Sequence, residues 1–495
     1  MAKDAMDIRE FLTTHWSWLQ ASLPYLAALT AATFALLGLL SALEAILKTR
    51  TAQGAVAWAI VLIGFPPLFV PLYWIFGRRK FRGYAMAKRG DTGAIDALTG
   101  QLARDYASLE TSPEAEDSRL RALPRLSTLP FSRGNKARLL IDGEQAFADM
   151  FTHIRRAKHY VLLEFYIVRD DDIGGELAQL LIDKAREGVA IYFIYDEIGS
   201  LKLPRDYPQT LRDAGVQMRP FNSTKGTGNR LQLNFRNHRK IVVCDGDYCV
   251  ISGMNIGDEY RHQHPVLSPW RDTGLAMSGP IVQAVQLCFV EDWYWANESL
   301  PALNWTPAPC KDGDQQMLIV STGPADSVES CALFFETLIH QARERLWIVS
   351  PYFVPDTSII HALQLAAMRG VDVRIMLPEK PDKLTIKLSS FTAIRETLPH
   401  GVQFYYYQCG FLHQKVLLVD DDIAAVGTAN LDNRSFRLNF EISAVIYDHG
   451  FARELSDMLE QDFNQCRQLL PSEVARWSLM RRLASRCAYL FAPLQ

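Results

Sequence analysis

The chain has no cysteine pair at CxxC spacing, no surplus of positive charge and no metal-ligand cluster. Its eight cysteines are scattered over 495 residues, and the closest two, Cys244 and Cys249, flank Asp245. They read as reduced core thiols of a cytosol-facing protein rather than disulfides or zinc ligands. Fifty-two basic residues stand against 55 acidic ones, net −3, so no global basic field points to a nucleic-acid partner. The one HxH, His262 and His264, has no Cys, Asp or Glu at a familiar ligand spacing. Neither a metal nor a cofactor is expected.

Apolar residues are 48% of the chain but unevenly spread. Residues 24–43 carry no charge, and a second apolar run covers residues 55–76. Each approaches the ~20 residues that cross a hydrocarbon core. A signal peptide is disfavoured by the length of the first run, the lack of an A-x-A site and the immediate second run. Pro66, Pro67 and Pro71 should kink the second run or make it re-entrant. The expectation is a transmembrane helical hairpin. Arg78, Arg79, Lys80, Arg82, Lys88 and Arg89 follow it, whereas its loop offers only Lys48 and Arg50. The positive-inside bias then places everything after Phe76 in the cytoplasm, and the basic cluster also suits anionic headgroups. The C-terminal MRRLASRCAYLFAPL reads equally as an interfacial helix or an ordinary terminal one.

The expected organisation is an N-terminal segment, 1–23, then the hairpin, 24–76. A basic flank, connecting helix and linker follow over 77–128, with two catalytic domains at 129–305 and 306–495. From 129 onward, β-branched and aromatic runs alternate with helical periods, an α/β pattern. It occurs twice: YVLLEFYIV (160–168) and LWIVSPYFV (346–354) are buried-strand runs, each preceded by an amphipathic helix. Gly188-Val189 matches Gly370-Val371, and Gly215-Val216 matches Gly401-Val402. The glycine offsets are 182 (370 − 188) and 186 (401 − 215), but the motif offset below is 175 (413 − 238). The first copy therefore carries about 11 extra residues (186 − 175) in the loop 222–235, with Lys225 and Arg230. That loop reads as a substrate-shaping element or a surface excursion.

The chemistry sits in a doubled motif. HRKIVVCD runs from His238 through Lys240 to Asp245, and HQKVLLVD from His413 through Lys415 to Asp420. Each is followed by a small-residue turn and an Asn, SGMN ending at Asn255 and GTAN ending at Asn430, ten residues past the Asp (255 − 245 and 430 − 420). Strand alternation puts His and Lys on one face. The Ser252-Gly253 and Gly427-Thr428 turns let backbone and hydroxyl approach an anion, and Asn255 and Asn430 add amide donors. Two His, two Lys and two Asn suit a phosphodiester: Lys neutralises the non-bridging oxygens, one imidazole attacks phosphorus, and the other protonates the leaving oxygen. Each His needs a carboxylate to fix its tautomer. Glu441 is the candidate behind the second motif and Asp272 behind the first. Asp245 and Asp420, the motif acids, should anchor the strands or the lysines rather than touch substrate.

The doubled HxKxxxxD with its turn and Asn resembles the phospholipase D superfamily. YWIFGRRKF, EFYIVRDD at Glu164, WRD at Trp270, SPYFVPD at Ser350 and NLDNRSFRLNFE at Asn430 are similar to bacterial membrane-anchored cardiolipin synthases. The resemblance implies two tandem α/β/α sandwich domains forming one active site, in a bacterial inner-membrane enzyme. It implies ping-pong transfer of a phosphatidyl group between two phosphatidylglycerol molecules, giving cardiolipin and glycerol. His238 would be the nucleophile and His413 the acid, then base, with catalytic Lys240, Lys415, Asp245 and Asp420. Two departures stand out: Ser252-Gly253 where the family has Gly-Ser or Gly-Gly, and Gly274 where it often has His. A hydrolase using water, or a transferase with another donor or alcohol acceptor, would use the same residues. A nuclease fits worse for want of a basic stripe, and an inactive scaffold is at odds with two intact motifs.

Overall fold

The computed structural model describes residues 8–49, 51–77, 81, 84, 93–113, 117–221 and 234–494. The basic residues at 50, 78–80, 82, 88 and 89, and loop residues Lys225 and Arg230, lie outside the described residues. The chain divides into two compact units: Met1–Lys80 with Thr227–Asn234, and Phe81–Gly226 with Phe235–Gln495.

In the first unit a helix runs over Ile8–Lys48, and its part Ser22–Lys48 is the one described helix long and apolar enough to cross a membrane. The second apolar run does not form one continuous helix. Ala52–Gly64 is a 13-residue helix, about 20 Å long against a ~30 Å hydrocarbon core. Phe65, before a proline, takes φ −145° and ψ 68°, out of the helical region, and a new helix begins at Pro66 (Pro66–Leu72), followed by a π turn over Tyr73–Gly77. These short helices pack back on the first. A Cβ at Gly38 would lie 2.4 Å from Leu62 O, so glycine permits the approach. Trp74 Nε1 donates to Ser41 Oγ (3.2 Å), and Asn234 Nδ2 to Ile75 O (3.0 Å).

The second unit is mixed α/β, built on one continuous sheet that contains both copies of the repeat. In the first copy Tyr160–Phe165 pairs in parallel with Ala190–Tyr195, and antiparallel with Ile241–Cys244, which hairpins to Tyr248–Ser252. The second repeats this: Arg345–Val349 runs parallel to Asp372–Pro378 and antiparallel to Val416–Val419, which hairpins to Ile423–Gly427. The hairpins expected after each HxK are present. The copies join where Ser132–Ile141 pairs antiparallel with Gln315–Thr322. The repeated glycines share one geometry, φ +90° and +91° at Gly188 and Gly370, +98° and +101° at Gly215 and Gly401, the left-handed region that glycine adopts freely.

The central strands of both copies bury every side chain, the pattern of a sheet covered on both faces. Ile281–Asn297 covers the first copy and His449–Phe463 the second. Arg119, within the sequence segment TSPEAEDSR, is buried and reaches Asp420 (2.6 Å), Asp422 and Asp117, while Leu120 and Leu123 enter the second core.

Candidate active site

Two short parallel pairings bring the motifs together. Phe411–Leu412, entering the second motif, runs beside Trp270–Arg271 of the first copy. Arg236–Asn237, entering the first motif, runs beside Asn439 and Phe440 of the second. Backbone bonds extend each pairing to the histidine: His413 N donates to Arg271 O (2.8 Å) and His238 N to Phe440 O (3.0 Å). Each histidine therefore meets the carboxylate that directly follows the paired residues of the other copy. His238 Nδ1 lies 2.9 Å from Glu441 Oε2, and His413 Nδ1 lies 2.7 Å from Asp272 Oδ2.

This corrects the expected pairing: Glu441 stands behind the first motif and Asp272 behind the second. The physical cause is the crossed strand pairing, which linear proximity does not reveal. A carboxylate only accepts, so each Nδ1 carries the proton and each Nε2 keeps its lone pair for the pocket. Burial drives both imidazoles down to about 4; at His238 the Glu441 charge opposes this and Lys240 adds to it, whereas at His413 Lys415 adds and Asp272 opposes. Burial would raise the Glu441 carboxyl, but His238, Lys240 and the Thr428 hydroxyl hold it below its usual range.

Lys240 and Lys415 are buried with the histidines. Lys240 Nζ donates to His238 O (2.5 Å), and Lys415 Nζ to His413 O. Burial lowers Lys240 to about 7 and Lys415 to about 8; the two carboxylates counter that in both, and mutual repulsion lowers Lys240 further. Two lysines, two imidazoles and two carboxylates thus share one buried cluster, close to neutral when empty.

The motif acids are not part of it. Asp245 sits at the far end of its strand, five residues or about 16 Å past Lys240. It is left-handed (φ +54°), and its carboxylate accepts the amides of Lys158, His159 and Tyr160 at 2.7–2.9 Å. Asp420 (φ +53°) does the same for Arg343, Glu344 and Arg345 and also holds Arg119. The expectation that they are catalytic is corrected: each closes a turn and anchors the start of the neighbouring strand, as expected from the motif itself.

The hydroxyls expected to face an anion face the protein. Ser252 Oγ accepts Met254 N (3.2 Å) within its own turn. Thr428 Oγ1 donates to Glu441 Oε2 (2.6 Å) and accepts Ile442 N (3.0 Å). The reversed turn order has a steric reason. Gly253 occupies the place of Thr428, where a Cβ would fall 2.4 Å from Asp272 Oδ1, and Gly427 lies where a Cβ would meet Ile442 O at 2.4 Å. Asn255 spends its amide inside the fold: Oδ1 accepts Ile167 N (2.9 Å) and Nδ2 donates to Tyr260 Oη (2.7 Å). Asn430 differs, since its buried Oδ1 has no hydrogen-bond partner among the described residues.

Several neighbours went unread in the sequence. Ser435 Oγ and Asn439 Nδ2 donate to Glu441 Oε1 (2.9 and 3.0 Å). Tyr166 stands edge-on to His238 at 5.1 Å, while Trp270, Tyr260 and Phe411 surround His413 at 5.5–6.1 Å. Arg239, between His238 and Lys240, points the other way to Asp292 (2.5 Å), which also accepts from Tyr84 Oη (2.8 Å). Trp270 and Asn439 each stand two residues before an orienting carboxylate, a signal that the repeat alone makes visible. His262 Nδ1 accepts Trp270 N (3.0 Å) and His264 Nδ1 accepts Leu267 N (3.0 Å), which explains that HxH as loop support.

Comparison with known proteins is consistent with this geometry. The family described as "Cardiolipin synthase, PLD-like domain" matches residues 150–275 and 335–466. Cardiolipin synthase A of Pseudomonas fluorescens Pf-5 is 45% identical over 472 residues, 92% of this chain and 96% of that protein. Cardiolipin synthase A of Pseudomonas aeruginosa LESB58 is 45% identical over 461 residues, 92% and 94%. Among solved structures, the phosphatidylserine synthase of Haemophilus influenzae Rd KW20 superposes with a TM-score of 0.58 at 17% identity, over 77% of this chain and all of that one.

Proposed function

The chain belongs to the family of cardiolipin synthases with PLD-like domains and is a phosphatidyltransferase, and from that premise we propose how its site makes cardiolipin. The phosphodiester of one phosphatidylglycerol sits between the two histidines, its non-bridging oxygens facing Lys240 and Lys415. His238 Nε2 attacks phosphorus; its P–N bond forms as the P–O bond to the departing glycerol breaks. His413, which takes up a proton on Nε2 as the substrate anion binds, gives that oxygen the proton. The primary hydroxyl of a second phosphatidylglycerol then attacks the phosphohistidine, His413 takes the hydroxyl proton, and cardiolipin leaves with His238 regenerated.

The observation that carries this reading is the crossed pair of histidine–carboxylate bonds, which engages Nδ1 of both imidazoles and leaves both Nε2 atoms for substrate beside the two buried lysines. His413 is neutral in the empty site, and a bound phosphodiester anion offsets the Lys415 charge that helps to hold it so. Substrate thus raises the proton affinity of the acid it needs.

The apolar helix Ser22–Lys48 associates the enzyme with the membrane. We extend this to a hairpin whose second leg is the broken run Ala52–Gly77, with the catalytic unit on the cytoplasmic side. The basic residues after Phe76 and the packing of Trp74 on Ser41 support that reading. Labelled phosphatidylglycerol incubated with the purified protein in detergent should give cardiolipin plus glycerol. Phosphatidic acid as the only product would replace the transferase mechanism with hydrolysis.

A further inference from the structure

The helix Leu479–Tyr489 leaves an apolar face uncovered. Leu479, Met480, Leu483 and Leu490 are 79, 74, 57 and 78% exposed, Phe491 is 62% exposed, and Cys487 is exposed among them. At about 100° per residue the four within the helix, Leu479, Met480, Leu483 and Cys487, fall within an arc of roughly 100°, and Leu490 and Phe491 follow in the turn at its end. The opposite side is docked: Ser485 is buried, and the Arg481 guanidinium stacks over Phe391 (4.1 Å) and Trp477 (4.3 Å). The helix therefore belongs to the fold, and its outward stripe is surplus to it.

Charge singles out the occupant. From Val474 to the C-terminus there are four arginines, at 476, 481, 482 and 486, and no acidic residue. Position matters too. Tyr489 Oη donates to Pro355 O (3.2 Å), and Ala492 packs with Val354 and Ile386 beside Tyr352. Tyr352 is the second copy's counterpart of Tyr166, the ring that stands against His238 (352 − 166 = 186, the offset of the second glycine pair). Leu384, 67% exposed, opens the helix Leu384–Thr397, which carries Phe391.

We infer that the C-terminal helix is a lipid-docking element, which lies in the surface of an anionic bilayer and holds the rim of the second half-site against it. The choice of a lipid surface rests on the phospholipid reading of the site. Arg486 pairs with Glu396 (3.1 Å), but the segment itself carries no acidic residue. An apolar stripe flanked by a net excess of arginine matches an interface of anionic headgroups over acyl chains, with a burial depth of about 5–10 Å. A second copy of the chain fits worse, because it would bring two arginine clusters together.

The stripe carries its own probe. In full-length protein with Cys409→Ser, Cys487 is the remaining exposed thiol and takes an environment-sensitive fluorophore. Reconstituted in vesicles rich in phosphatidylglycerol, the label should shift to the blue and be quenched by bromines on shallow acyl carbons, with a smaller effect in phosphatidylcholine alone. An aqueous spectrum in both, an equal shift in both, or Cys487–Cys487 cross-linking with a shift already present in detergent overturns the proposal, the last in favour of self-association. Leu483→Glu with Leu490→Glu should raise KM for the surface fraction of phosphatidylglycerol about tenfold, with kcat within about twofold. An unchanged KM also overturns it. The fluorescence does not depend on turnover, so a buried label on a protein that makes no cardiolipin would sink the functional reading alone.

Discussion

The two half-sites share a motif but not an environment. At His238 the orienting acid is a glutamate whose carboxylate is gripped by His238, Thr428, Ser435 and Asn439. At His413 it is an aspartate whose carboxylate takes His413 and the backbone amide of Thr273 (2.8 Å), with a glycine where the other half has Thr428. Polar clamping surrounds the first and aromatic rings the second. A nucleophile gains from an orienter locked as an anion. An acid that must take and return a proton gains from a looser, drier one whose balance shifts when substrate arrives. The two motifs carry equal histidines, and in the proposed mechanism the difference between Glu441 and Asp272 separates their tasks.

If that division holds, the largest effect comes from removing an orienter's charge while keeping its shape. Glu441→Gln should cost about 10³-fold in kcat, by forcing the wrong tautomer on the nucleophile, and Asp272→Asn about 10²-fold. Steady-state turnover of the two purified variants checks this, and equal losses would erase the asymmetry.

The pH profile comes next. Protonated His413 and protonated lysines are all needed, and each population falls as pH rises through its folded-state value. Therefore kcat/KM should decline already above about 4, where free His413 loses its proton, and more steeply above about 7 and 8, where Lys240 and Lys415 titrate. On the acid side neutral His238 is lost only as pH falls through about 4. A profile flat from pH 6 to 9 would contradict the buried-lysine picture.

Thr428→Val removes one charge-assisted bond to Glu441 and should cost about tenfold in kcat. Gly253→Ala probes the matching place by pressing a Cβ against Asp272, and thermal melts separate misfolding from lost chemistry.

The smallest effect on chemistry belongs to the motif acids. Asp420→Ala removes one of the three carboxylates around the buried Arg119, leaving Asp117 and Asp422, and also frees three backbone amides, so it should lower stability by about 2–3 kcal/mol. Asp245→Ala, with no such partner, should cost about 1–2 kcal/mol. Denaturant midpoints measure both, and the folded fraction of each should keep kcat within about twofold.

Much of this was legible beforehand, for reasons that can be named. HxK with a strand after it fixes a shared face, and a doubled motif with equal tails implies two halves of one site. The left-handed glycines at 188, 215, 370 and 401 confirm that the repeat extends beyond the motif. The partner of each histidine was not legible, because Glu441 lies 28 residues past His413 (441 − 413) but 203 past His238. Only the parallel pairing of Arg236–Asn237 with Asn439 and Phe440 carries it across. The fates of Ser252 and Thr428 were hidden similarly, since a hydroxyl beside an active site is as ready to clamp a carboxylate as to bind substrate. In the first unit, Pro66 was visible as a kink, but the complete break at Phe65 depends on how the chain folds back.

The division of labour is tested most directly by trapping the covalent intermediate. Purified His413→Asn enzyme, in which release of the intermediate is slowed, is mixed with labelled phosphatidylglycerol, quenched in alkali to preserve phosphohistidine, digested and mapped by mass spectrometry. The label is expected on His238, and in Glu441→Gln its yield should fall about as far as turnover does. A label on the second motif in the wild-type enzyme, or no covalent adduct in either protein, would contradict the account.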